Sequence, residues 1–311
     1  WQLAMRSKSP YGPYEWKRVL ERGKTTMNGP HQGGWIHTKY SEDWFIHFQD
    51  KGPYGRVCHL QPVDWSSGWP VMGNAGEPYW KFRKPKSDSK TIVNPVETDE
   101  FDSSKLGMQW QWQNDYKESY GQATSMGFFR LFTYALPELG DVSNLWYVPN
   151  MLLQKIPADE FTATTKLSFC SRNSDQYVGL VCMSAEYSSV GLQRTEDGYE
   201  LQIRHNPNAM RTHLTDEVLT VDTLKPTQKG TPRKGRPAEM HIKDVYLRMS
   251  IKDSKVNYAY SIDGKKWKKA GGEYAMGKGR WIGSKIGFFA VDPNKTGRKG
   301  FIDIDWFRIS R

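Results

Sequence analysis

The 311-residue chain has room for two domains or one large all-β domain, carries a formal net charge of +10 and is 14% aromatic, with 13 Trp and 16 Tyr. No apolar stretch is long enough for a helical membrane span, and the Lys and Arg excess stands apart from the aromatic runs, unlike a nucleic-acid groove in which cations and stacking rings alternate. Much of that charge falls in residues 81–90 and 225–243, runs with Pro, Gly or Ser that read as solvated loops, suited to solubility or to attraction of an acidic polysaccharide.

Helix signals are almost absent. In chain order, "WQLAMRSKSPYGPYEWKRVL" reads as two strands joined by "SPYGPY". The chain does not start with Met and its first residues read as the middle of a strand, so it is expected to begin inside a domain. Residues 33–38, 44–50, 56–65 and 69–72 then form a candidate four-strand unit, and four antiparallel strands in roughly forty residues is the size of a propeller blade. Residues 1–72 therefore make about one and a half blades, too few to close a ring, and an apolar face must be covered by other polypeptide. Residues 73–95 are polar, contain Pro and read as a linker. From residue 96 the alternating runs lengthen, among them "FTATTKLSFC", "QYVGLVCMSA", "YELQIRH", "VYLRMSIKD", "SKIGFFAVD" and "GFIDIDWFRIS", as in a two-sheet sandwich. "SIDGKKW" marks a hairpin through its Asp-Gly pair. Cys58, Cys170 and Cys182 are odd in number and lack a Cys-x-x-Cys spacing, so they read as buried free thiols; a bridge between Cys170 and Cys182 requires two strands that pair them.

Three stretches of the first region, "RSKSPYGPYEW", "NGPHQGGWIHT" and "WFIHFQDKGPYGRVCHLQPVDWSSGWPVMG", resemble the fourth and fifth blades of the five-bladed propeller glycosidases of glycoside hydrolase family 43, in the β-xylosidase and α-L-arabinofuranosidase group. "DEFDSSKLGMQWQWQND", residues 99–115, resembles the start of the concanavalin-like sandwich that follows the propeller there, and "KIGFFAVD" and "FIDIDWFRIS" resemble its closing strands. The resemblance implies an all-β fold: part of a five-bladed β-propeller over 1–72, a linker over 73–95 and a β-sandwich of jelly-roll type over 96–311. It also implies an inverting glycosidase of plant hemicellulose, secreted or periplasmic, that cleaves β-xylosides or α-L-arabinofuranosides. Inversion needs a general acid on the leaving oxygen and a general base on a water across the ring. In the family these carboxylates lie on the first three blades. Glu15, Glu42, Asp43, Asp50, Asp64 and Glu77 do not match their contexts, so no catalytic residue is expected in this chain and a complementary N-terminal propeller segment or chain must supply them. The alternative is a non-catalytic carbohydrate-binding or structural sandwich, for which Trp110 and Trp112 in "MQWQWQ" would be a platform if they were not core.

The same resemblance places His31 of "GPHQGG" near the propeller axis, where it supports a calcium or other metal ion beneath the sugar. Gln32, Trp35 and Phe48 become candidate pocket-wall residues, with Gly33 and Gly34 letting the backbone pass close by. Arg56 of "YGRV" matches the family's pocket Arg, a permanently charged fork for hydroxyls or carboxylates. His37, His47 and His59 read as structural, hydrogen-bonding strand residues. In the sandwich, Asp303 and Asp305 share one face of the last strand, and the resemblance makes Asp99 and Asp303 the pair expected to hold a structural calcium.

Overall fold

The computed structural model describes residues 1–136, 144–211, 215–233, 236–279, 281–295 and 297–311. The chain divides into two compact units, Trp1–Asn94 and Pro95–Arg311, each with its own core.

In the first unit, β1 (Gln2–Arg6) and β2 (Glu15–Leu20) form an antiparallel hairpin. Strands β3 (Gly34–His37), β4 (Asp43–Asp50), β5 (Arg56–Asp64) and β6 (Val71–Met72) form one antiparallel sheet in sequence order. Side chains alternate across this sheet. One face carries Phe45, which packs with Val19, Leu20 and Met72 in a fully buried cluster flanked by Ala4 and Val63. The other carries Ile46 and Leu60, 40% and 37% exposed, beside an exposed Cys58. Cys58 is thus not the buried thiol expected from its apolar neighbours: it sits on the face that four strands cannot cover. The segment expected as a linker is bound to this unit over much of its length. Tyr79 N donates to Gln61 Oε1 at 2.7 Å and Gln61 Nε2 donates back to Tyr79 O at 3.3 Å. Buried Glu42 accepts from Arg83 NH1 at 2.5 Å and from the Lys86 amide at 2.8 Å.

The second unit is a two-sheet sandwich. Its strands are β7 (Gln111–Trp112), β8 (Gly121–Ala123), β9 (Phe129–Phe132), β10 (Tyr134–Ala135), β11 (Leu152–Lys155), β12 (Phe161–Ser171), β13 (Tyr177–Met183) and β14 (Tyr187–Arg194). They continue as β15 (Tyr199–Asn206), β16 (Glu217–Leu224), β17 (Gln228–Lys229), β18 (Met240–Lys252), β19 (Lys255–Ser261), β20 (Lys268–Ala275), β21 (Lys285–Asp292) and β22 (Phe301–Ser310). One sheet runs β16-β15-β14-β13-β21-β11-β7, with β10 beside β21; the other runs β20-β19-β18-β12-β22-β9-β8, with β17 beside β18. Cys170 on β12 and Cys182 on β13 therefore belong to different sheets, and both are free thiols.

The burial patterns follow from the layers. Strand β12 alternates, with Phe161, Ala163, Thr165 and Leu167 buried and the residues between them half-buried. Strand β13 is buried at every position because its sheet is covered on both faces. Outside that sheet, Leu145, Val148, Met151 and Ala209 pack on Tyr177, Val181, Tyr187 and Phe289 as a second cluster. Gly179 permits the central strands to close: a Cβ there would stand 2.2 Å from Val190 O. The "SIDGKKW" hairpin forms between β19 and β20, with Gly264 at φ +70°.

Candidate functional site

The blade's turn over 28–33 is built by three local devices. Asn28 clips it to the end of β4, its Nδ2 donating to Asp50 O and its Oδ1 accepting from Asp50 N, each at 2.9 Å. Gly29 and Gln32 both take left-handed backbone, φ 54°. Gly33 lies so close to β4 that a Cβ would meet Ile46 O at 2.2 Å and Phe45 Cζ at 2.4 Å, whereas one on Gly34 would meet only Ile46 Cγ2 at 3.6 Å.

These constraints aim His31 at Phe48. The two rings lie 5.3 Å apart, tilted by 58°. His31 Nδ1 donates to Gly29 O at 2.5 Å, so the proton sits on Nδ1 and Nε2 presents its lone pair. Arg56, at the start of β5, places its guanidinium carbon 4.2 Å from the centroid of the same Phe48 ring. His31 and Arg56 thus meet at one aromatic residue, although 25 positions of sequence separate them. Among the described residues Arg56 has no carboxylate partner, so its forked donors stay uncommitted. Gln32 is exposed on the same turn.

Trp35 is not part of this group. It pairs with Phe45 and so lies on the opposite face from Phe48. Its Nε1 donates to Asp43 Oδ1 at 2.9 Å, and its ring stands 5.4 Å from Trp65, both rings solvent-exposed. His37 Nδ1 also donates to Asp43, at 2.8 Å. On that face His47 and His59 stack at 5.5 Å, and their Nε2 atoms contact Gln61 and Gln49, the structural role their strand positions predicted.

The unit's carboxylates are each engaged locally. Glu15 pairs with Arg6, and Asp50 accepts from the Gly52 amide. Amide donation from Lys86, then the Arg83 and Trp44 side chains, holds Glu42 below the usual carboxylate range; the His37 bond does so for Asp43, and the Ser66 amide for Asp64. A general acid needs the opposite shift.

In the sandwich, Asp99 and Asp303 do not come together. Asp99 bridges to β22 at Phe307, four residues along the strand from Asp303. Asp99 Oδ1 accepts from the Phe101 amide at 2.8 Å, and Oδ2 from Trp110 Nε1 at 2.7 Å and Gln109 Nε2 at 3.2 Å. Asp303 takes a bidentate bond from Arg130, at 2.6 and 2.8 Å. The expected pair fails because each carboxylate is neutralised or satisfied by its own donors. Calcium wants six to eight oxygens; His31 offers one nitrogen and these two aspartates are spent apart, so the predicted ligands do not fit calcium. Trp110 is 8% exposed, against Phe101, Phe288 and Phe307, and Trp112 packs on Tyr116, Tyr120 and Phe129. Trp110 is core and Trp112 is half-buried among aromatic rings, so the two do not form an open platform.

A four-stranded antiparallel sheet with a histidine turn, followed by a two-sheet sandwich, defines an all-β protein of two units. Residues 98–310 match the family described as beta xylosidase C-terminal concanavalin A-like domain (GH43_C2), and the chain belongs to that family. A relative from Xylanibacter ruminicola is 32% identical over 294 residues, 92% of this chain and 49% of its own length. A beta-xylosidase of Formosa agariphila is 30% identical over 336 residues, 98% of this chain and 52% of its own length. The chain thus spans about half the length of these curated relatives. The crystal structure of the GH43 protein BlXynB from Bacillus licheniformis superposes with a TM-score of 0.75 at 25% identity, over 98% of this chain and 59% of that one.

Proposed function

We propose that this chain supplies the last blades and the sandwich of a glycosidase that cleaves β-xylosides or α-L-arabinofuranosides of plant hemicellulose with inversion. The acid and base carboxylates are carried by a complementary propeller segment. Secretion or export to the periplasm goes with a polymeric substrate of this kind.

The observation that carries the reading is the meeting of His31 and an uncommitted Arg56 at Phe48. Arg56 can bind sugar hydroxyls or lie beside a catalytic carboxylate and hold its pKa down. His31 Nε2, left free by the bond from Nδ1, can accept from a hydroxyl or a bound water. The locally bonded carboxylates of this unit leave proton transfer to other groups, and the apolar face with Ile46 and Leu60 is of the kind a neighbouring blade covers. The relatives, about twice as long, contain the additional chain such a partner needs.

Proton NMR during hydrolysis of p-nitrophenyl β-xyloside by residues 1–311 assembled with the complementary segment tests this. α-Xylose is expected to form first and to mutarotate later. Initial β-xylose, or no hydrolysis of either the xyloside or the arabinofuranoside, overturns it.

A further inference from the structure

The sandwich holds a cluster for which the proposed hydrolysis has no use. Cys170 on β12 pairs directly across the sheet with His241 on β18, so both side chains leave on one face. Cys170 Sγ stands 3.3 Å from His241 Nε2, and Glu239 Oε1 stands 2.8 Å from that same nitrogen. One ligand atom from each residue lies within 4.8 Å of the other two. Arg172 Nε donates to Glu239 Oε2 at 2.8 Å, which fixes the carboxylate with Oε1 turned to the imidazole. Cys170 is 2% exposed, while His241 and Glu239 are half-buried.

The Cys170 sulfur and the Glu239 carboxylate both meet His241 Nε2, and the thiol and carboxylate also bond to each other, so the three ligand atoms converge pairwise. A nucleophilic Cys-His-carboxylate relay sets its acid against the other ring nitrogen, so that role does not fit. A single cation among the three atoms would exchange these hydrogen bonds for three ligand bonds, since one ligand atom of each lies within 4.8 Å of the others. Thiolate, imidazole and carboxylate together are a borderline-soft ligand set that suits zinc and not calcium. Tetrahedral zinc ligands stand roughly 3.3–3.6 Å from one another, given Zn–S of about 2.3 Å and Zn–N of about 2.0 Å. The sulfur stands 3.3 Å and the carboxylate oxygen 2.8 Å from Nε2, with all three atoms within 4.8 Å of one another. Cys170 and His241 also line a groove of about 250 Å³ with Phe128, Ser168, Phe301 and Asp303.

We infer that Cys170, Glu239 and His241 form a binding site for a zinc-type divalent transition metal. Binding breaks the S–H bond and forms a metal–sulfur bond; the proton leaves to solvent and nothing is oxidised or reduced. Arg172 is a positioning residue that holds Glu239.

Cobalt(II) is the probe, added to the reduced, chelator-treated 1–311 chain. One equivalent is expected to bind, with a near-ultraviolet thiolate-to-cobalt charge-transfer band and tetrahedral visible bands, both displaced by one equivalent of Zn²⁺. Cys170→Ser abolishes the charge-transfer band, His241→Gln weakens cobalt binding at least tenfold, and Cys58→Ser changes neither. Circular dichroism checks the fold of each variant, and should Cys170→Ser not fold, the solvent-accessible His241→Gln decides. No charge-transfer band at saturating cobalt, or unchanged affinity in a folded His241→Gln, overturns the inference.

Discussion

Gly33 sets the shape of the histidine turn more than any residue with a side chain does. A Cβ there collides with Ile46 O and Phe45 Cζ, so Gly33→Ala must lift the turn off β4. The expected cost is about 3 kcal/mol, read as a fall in melting temperature, while Gly34→Ala is close to neutral. Equal effects of the two substitutions would contradict this packing. The three thiols differ for an equally local reason. Cys58 is exposed, whereas burial pushes Cys170 and Cys182 up to about 12. Thiol titration with a disulfide reagent at neutral pH is expected to read one group in the native chain and three in denaturant; three in the native chain would contradict it. Sequence spacing could not rank these thiols, because alternation does not say which face of a strand another layer covers.

At the scale of elements, the blade carries a pH response in His47 and His59. Burial is the main force holding both below the usual imidazole range, with Lys51's charge adding to it at His59. The fold therefore favours neutral rings, while the unfolded chain takes up protons near pH 6.5. Their contribution is intact above about pH 6.5 and is lost as pH falls through the lowered folded values. The melting temperature is expected to fall from pH 7 to pH 5, less steeply in His47→Gln; identical slopes would contradict the assignment. Most strands were legible as alternating runs, and the blade's four strands fall within about two residues of their predicted bounds. Strand β14 was not read, since Ser188, Ser189 and Gly191 dilute its apolar pattern, though all three are buried. Asp99 and Asp303 were misjudged because their donors, Trp110 and Arg130, approach through tertiary pairing. Cys170 and His241 went unnoticed as a pair for the same reason: the two cross-strand neighbours are 71 positions apart in sequence.

For the whole molecule, two separate cores imply that the sandwich is a folding unit. Residues 95–311 expressed alone are expected to melt in one cooperative transition; a gradual, non-cooperative loss of signal would contradict this. The blade unit alone, with Ile36, Ile46 and Leu60 exposed on one face of its sheet, is expected to self-associate in size-exclusion chromatography, and a monodisperse monomer would contradict an uncovered face. The family was readable from ordered motifs along the chain, but the convergence of His31 and Arg56 on Phe48 was not, since it depends on the turn that Asn28 and Gly33 impose. That convergence is tested most directly by kcat/KM for p-nitrophenyl β-xyloside in the assembled enzyme carrying Arg56→Ala. A loss of about 100-fold at unchanged melting temperature is expected if Arg56 contacts the sugar or its catalytic carboxylates; a value within twofold of the unsubstituted enzyme would contradict it.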